Sequence, residues 1–149
     1  MRRESRSVSD RMRRIGREGT QPEIALRRAL WRRGARYRVN VRALPGTPDI
    51  VFPGPKVAVF VHGCFWHRHS DCKRATMPKT NAAFWDAKFT ANIERDARKC
   101  RELHDLGWMT QVVWACELET AASIARSAEA LLACTRSRRD QRDRAGGDR

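Results

Sequence analysis

The chain predicts a mixed α/β domain: a small central sheet flanked by helices in the order α-β-β-β-α-β-α. Three observations predict it. Apolar residues recur at helical spacing near 21–34, 81–105 and 118–134. Lys56-Val-Ala-Val-Phe-Val-His62 is almost continuously apolar, as expected of a central strand covered on both faces. At 149 residues and 17.2 kDa, the chain is the size of one domain that can bury its own core.

The first helix starts at Thr20-Gln-Pro-Glu23, where Thr20 is placed as N-cap and Glu23 as the capping-box acid. It runs through Ile24, Leu26, Ala29, Leu30 and Trp31, and Gly34 is its C-cap. Tyr37–Val41 alternates like a half-buried strand. After the turn Leu44-Pro-Gly-Thr-Pro48, the segments Asp49–Phe52 and Lys56–His62 form a hairpin through Pro53-Gly54-Pro55. Residues 63–80 read as an irregular loop. The second helix carries the stripe Trp85, Phe89, Ile93, Cys100 and Leu103, and Gly107 ends it. Trp108–Trp114 is a strand, and the last helix runs from Leu118 to Cys134. Three segments follow from this: a basic flexible arm over 1–17, the folded domain over 18–135, and a basic disordered tail over 136–149.

The charge is concentrated at the ends. The chain holds 31 Lys and Arg against 17 Asp and Glu, a net charge of +14. Residues 1–40 hold 13 Arg and four acids, and 136–149 hold six Arg and three Asp. Basic ends on a near-neutral body point to a polyanion, with nucleic acid first and an anionic membrane second. The bland alternative is a pair of solvated basic tails. No apolar run approaches the roughly 18 residues of a membrane span, and no secretory h-region follows the first residues. A cytoplasmic, nucleoid-associated monomer is expected, with no membrane partner. Five Cys without an export signal favour thiols or a metal site over disulfides.

The chemistry concentrates in His62-Gly-Cys-Phe-Trp-His-Arg-His-Ser-Asp-Cys72. Cys64, His69 and Cys72 offer three N/S ligands for a tetrahedral Zn²⁺, and Cys116, at the end of the last strand, is the best fourth. The competing reading is a pair of loop thiols beside surface histidines. Phe65 and Trp66 are adjacent, so one is expected to protrude as a wedge for a base step, or both cover the metal loop as a mini-core. Asp49 is either a turn cap or a Mg²⁺ carboxylate near Val61 and His62. Asp96 falls on the apolar stripe of the second helix, where it needs a partner such as a His. Its alternatives are a salt bridge to Arg95 or Lys99, or a helix rotation that leaves it at the rim. A His–Asp pair is a way to tune a general base.

Leu44-Pro-Gly-Thr-Pro-Asp49, Phe60-Val-His-Gly-Cys-Phe-Trp-His67 with Cys72, Phe84-Trp85, Asn92-Ile-Glu-Arg-Asp96 and Gly107-Trp108 through Glu117 together resemble the very short patch repair endonucleases. The resemblance covers about residues 10–120. It implies a restriction-endonuclease-like fold and a Mg²⁺-dependent enzyme that nicks double-stranded DNA 5′ to the T of a T:G mismatch left by 5-methylcytosine deamination. Mismatch-repair proteins are implied as possible partners.

By motif position the resemblance makes Asp49 the Mg²⁺ carboxylate and the Val61 carbonyl a second ligand. It makes His67, oriented by Asp96, the activator of water, places His62 on the scissile phosphate or a metal-bound water, and puts Glu23 in support. It implies a structural Zn²⁺ on Cys64, His69, Cys72 and Cys116, and a wedge of Met12, Phe65 and Trp66. His69-Ser-Asp-Cys72 has one more residue than the family spacing, so His67 and Asp71 compete as ligands. Two alternatives are a nicking or restriction endonuclease of other specificity on the same scaffold, and a non-catalytic zinc-stabilised DNA-binding module.

Overall fold

The computed structural model describes residues 19–146. Met12 and the arm over 1–17 lie outside the described residues. The elements are α1 (Gln21–Arg32), β1 (Arg38–Val39), β2 (Ile50–Phe52), β3 (Val57–His62), α2 (Ala82–Asp105), β4 (Met109–Trp114), a 3-10 turn (Ala115–Leu118) and α3 (Ala121–Gly146). The predicted order of helices and strands is therefore the observed one. The sheet runs β1-β2-β3-β4. Its first two pairings are antiparallel and β3–β4 is parallel, with α2 as the crossover.

β3 is central, and its alternation divides the core. Val57 and Val59 face one layer with Leu26 and Leu30 of α1 and Ala128 and Leu131 of α3. Ala58 and Phe60 face Leu103 of α2. His62 continues this second set at the C-terminal end of the strand, so the alternation of period two aims it toward α2. A third cluster, Phe65, Trp85 and Phe89, ties the loop after β3 to the start of α2. No helix among the described residues is long and apolar enough to cross a membrane.

Four expectations need correction. The Tyr37–Val41 strand shrinks to two exposed residues, because Asn40 turns to φ 48° and ends the regular strand, although its N–H still donates to the Asp49 carbonyl at 3.1 Å. Thr20 makes no side-chain cap bond, and Glu23 accepts instead from the Gly19 N–H at 3.0 Å. Ile93 is 49% exposed: the inward face of the helix passes from Trp85 and Phe89 through Asn92 and Asp96, which bond Trp66 and His67 of the loop, to Leu103, and leaves Ile93 to one side. The tail expected to be disordered from residue 136 is helical as far as Gly146. Its Arg, Gln, Asp and Ala residues include no interior Gly or Pro to stop a helix, and Arg138 anchors it by donating to the Gly107 carbonyl at 3.0 Å. The real capping box of α3 is Thr120 with Ser123, whose backbone N–H groups are exchanged with each other's hydroxyls at 3.1 and 3.2 Å.

These layers predict contrasting mutations. Leu30, at 0% exposure between α1 and the sheet, should lose about 2–5 kcal/mol as Leu30→Ala. Ile93→Ala should stay within about 0.5 kcal/mol of the native chain. Urea midpoints of the two variants check this.

Candidate active site

β3 carries the site to its place. Its last residue, His62, is 9% exposed and packs edge-on to Trp114 of β4, with centroids 5.3 Å apart. The chain then turns, and His67 stacks on His62 at 3.9 Å with planes 5° apart. The His67 Nδ1 meets Asp96 Oδ2 of α2 at 2.5 Å. Asp96 is thus partnered by a histidine, with neither Arg95 nor Lys99 as its ion-pair partner. The three ligand atoms of His62, His67 and Asp96 lie within 4.8 Å of one another. The His67 and Asp96 side chains keep 27% and 29% exposure, so a substrate can reach the pair.

Burial lowers the His62 pKa to about 4, with the neighbouring His67 charge adding to the shift and Asp96 opposing it. His62 is therefore a neutral imidazole at pH 7. When the ring is neutral and Asp96 accepts its Nδ1–H, the opposite Nε2 of His67 carries a lone pair for a proton.

Asp49 sits one residue before β2. Its Oδ2 accepts from the Val61 N–H at 2.7 Å, which clips the carboxylate to the penultimate residue of β3. Burial raises its pKa to about 6. The Val61 bond lowers it, the Glu23 charge raises it, and Arg27 and His67 lower it. His67 and Asp49 therefore act within electrostatic range of each other. Glu23 is only 1% exposed and forms an ion pair with Arg27 one turn along α1. A buried carboxylate behind a carboxylate favours a cation in front of both.

A second cluster adjoins the first. Cys64, His69, Cys72 and Cys116 bring their ligand atoms within 4.8 Å of one another, and Cys116 Sγ lies 3.4 Å from His69 Nδ1. His69 belongs to this cluster and His67 to the other, which separates the two histidines that compete on spacing. Burial and the neighbouring thiols push Cys116 up to about 12, while the Arg74 backbone N–H pulls Cys72 down to about 7. His69 stacks on Trp114 at 4.2 Å, so one indole walls off both clusters.

Phe65 and Trp66 divide the two roles read from the sequence. Phe65 is buried at 8% exposure between Trp85 and Phe89, the place the mini-core alternative gives it. A residue inside the aromatic cluster has no open face. Trp66 is partly buried on the rim, with Lys88 Nζ 5.3 Å from its ring.

The family profile described as DNA mismatch endonuclease Vsr matches residues 2–74. The type II nicking enzyme V.XorIIP of Xanthomonas oryzae pv. oryzae is 43% identical over 113 residues, 76% of this chain and 82% of that protein. The chain belongs to the Vsr family. The type II nicking enzyme V.NmeAIP of Neisseria meningitidis is 46% identical over 103 residues, 69% of this chain and 73% of that protein. The DNA mismatch endonuclease Vsr of Escherichia coli is 40% identical over 110 residues, 74% of this chain and 70% of that protein.

Three contributors to this Vsr-family site escape the sequence reading. Arg27 partners Glu23, and its i,i+4 spacing from an acid was the available signal. Trp114 walls both clusters. Arg68 donates to the carbonyls of Ala75 and Thr76 at 2.9 and 3.0 Å, and its guanidinium covers the Phe89 ring at 4.2 Å. Nothing local marks it, because its partners come from further along the loop and from α2.

A carboxyl whose folded pKa is raised binds its proton more tightly folded than unfolded. Its ionisation between the unfolded value, near 4, and the folded value of about 6 therefore subtracts stability as pH rises. Asp49→Asn keeps an acceptor for Val61 and removes that charge. In magnesium-free buffer it should melt higher than the native chain at pH 8, with the difference gone at pH 4. Thermal melts across that range check it.

Proposed function

We propose that this Vsr-family protein is a strand-nicking DNA endonuclease that cuts 5′ to the T of a T:G mismatch by Mg²⁺-dependent hydrolysis, on a restriction-endonuclease-like fold. The observation that carries it is the His67–Asp96 pair at 2.5 Å, stacked on neutral His62 and within electrostatic range of Asp49. A protein that only grips DNA has no use for a histidine with a free Nε2 backed by a carboxylate. The name of the Escherichia coli relative supports mismatch as the substrate.

Asp49 fits a hard cation. Its Oδ2 accepts from Val61, its Oδ1 has no hydrogen-bond partner among the described residues, and burial makes its charge costly unless it is neutralised. Asp49 and the Val61 carbonyl would hold Mg²⁺, which supplies charge neutralisation at the phosphoryl group and a more acidic water. His67 Nε2 would take the proton of the attacking water as its oxygen bonds to phosphorus and one P–O ester bond to the sugar breaks, the departing sugar oxygen taking a proton from bulk water. Asp96 holds the ring in the required tautomer and stabilises the imidazolium that forms. His62, neutral and close by, donates a hydrogen bond to the scissile phosphate. Glu23, held by Arg27, supports the site by fixing the electrostatic field behind Asp49.

The donor set Cys64, His69, Cys72 and Cys116 fits a closed structural Zn²⁺, which would staple the first half of the loop to the 3-10 turn after β4. Trp66 is the rim aromatic available to wedge beside the mismatch, with Phe65 beneath it and Met12 on the N-terminal arm as the proposed third member. Mismatch-repair proteins are proposed partners downstream of the nick. A second reading, nicking in another sequence context, is favoured by the names of the Xanthomonas and Neisseria relatives. A panel of all mismatches and matched duplexes distinguishes the two.

The protein with Mg²⁺ should nick a T:G duplex far faster than a T:A duplex. Asp49→Ala should abolish nicking with zinc content and fold intact. His67→Ala should slow it by about 10²–10⁴-fold. Equal rates on T:G and T:A would remove the mismatch reading. Cys72→Ala should lose zinc and lower the melting temperature, which metal analysis and a thermal melt measure together.

A further inference from the structure

The C-terminal half of α3 lies outside the catalytic account, and its charges are sorted by face. Ala128, Leu131 and Thr135 form the buried face of the helix. The same helical progression past Thr135 arrives at Arg138 and Arg142, with Arg139 beside them. Asp140 lies on the far side of the helix and Asp143 at the margin. The face that packs on the core is therefore continued by arginines where the helix overhangs it.

This overhang passes one pole of the sheet. Arg138 donates to the Gly107 carbonyl at 3.0 Å, in the turn between α2 and β4. The Arg139 guanidinium lies 3.9 Å from where a Cβ on Gly54 would sit, in the β2–β3 turn. Lys56, at the end of that turn, lies 3.5 Å from the Leu106 carbonyl. Two turns and a helix thus bring Lys56, Arg138 and Arg139 together, with Arg142 one turn beyond. The pole is at the start of β3, and His62 is at its end, roughly 17 Å away along the strand. The arginine face therefore lies at the opposite end of β3 from the catalytic residues.

We propose that the arginine face of α3 binds the phosphate backbone of a second duplex segment while the first occupies the catalytic pole. Choosing DNA as the occupant rests on the endonuclease reading. Planar guanidinium groups suit phosphate oxygens. The face carries no acid at its centre, so it complements a polyanion better than an acidic protein surface, which also requires apolar contact.

A bridging experiment tests the proposal. Full-length protein is bound to a bead-held T:G duplex, and a labelled matched duplex is added at low salt. With equal amounts of protein loaded, the native chain should retain the label. The double variant Arg139→Gln, Arg142→Gln should retain about five-fold less or lower still, because each lost phosphate contact weakens a salt-dependent binding. The control double variant Arg136→Gln, Arg144→Gln makes the same charge change on the other face and should retain the label as the native chain does. No retention by the native chain, or equal loss in both variants, overturns the proposal. Labelled polyglutamate held by this face in place of the duplex assigns it to an acidic protein and also overturns it. Nicking of the bead-held duplex is read separately, so a failed endonuclease reading is distinguishable from a failed second site.

Discussion

The stretch between β3 and α2 must hold one shape without regular structure, and the rest of the site depends on how it does so. An irregular loop of this length gains little from backbone hydrogen bonds and loses much conformational entropy on ordering. Three devices offset that loss. The thiol-histidine cluster draws Cys64, His69 and Cys72 to Cys116 just beyond β4. Phe65 sinks between Trp85 and Phe89 of α2. Arg68 caps two loop carbonyls from inside. His67 lies between these anchors, which is why a loop residue can meet Asp96 with the directionality of a core hydrogen bond.

The sheet makes the complementary half of the site. Because β3 is buried on both faces, its alternation is fixed: a one-residue slip would aim His62 at α1 and α3, away from α2. The Asp49–Val61 bond sits at the open end of this pairing, just beyond the paired Ile50 and Val59. A side chain there takes a backbone N–H next to the strand end, and the carboxylate is placed as firmly as the strand itself. Glu23 and Arg27 reach this end from the other layer. With Arg27 beside it, Glu23 is a paired buried ion, where alone it would be a second uncompensated charge behind Asp49.

Much of this was readable from residue order. The continuous apolar run of β3, the periodic stripe of α2 and the density of Cys and His after position 62 each reflect strong local constraints. Asp96 stood out because a carboxylate on an apolar stripe demands a partner, although the sequence left open which one. What the sequence hid was set by distant packing. Ile93 fits the stripe by spacing, but the loop after β3 covers the middle of α2 at Asn92 and Asp96 and leaves Ile93 to one side. Phe65 and Trp66 are equivalent in composition and differ only in which of them α2 covers. Glu23 has the spacing of a capping box, yet its carboxylate turns to Gly19 and Arg27 because the core excludes water around it.

The end of α3 shows the same limit from the other side. Arg-rich, Asp-dotted sequence after a helix reads as a solvated tail, because composition averages over faces. A helix does not average: at 3.6 residues per turn the arginines at 138, 139 and 142 gather on one face with Asp140 on the other and Asp143 at the margin, and this sorting exists only if the segment is helical. Arg138 contributes to that condition by tying the helix to the Gly107 turn. The bond that anchors the overhang and the charge it displays are therefore not independent. Replacing Arg138 would loosen the platform along with removing one cation, whereas Arg139 and Arg142 change the charge of the face and leave that anchor in place.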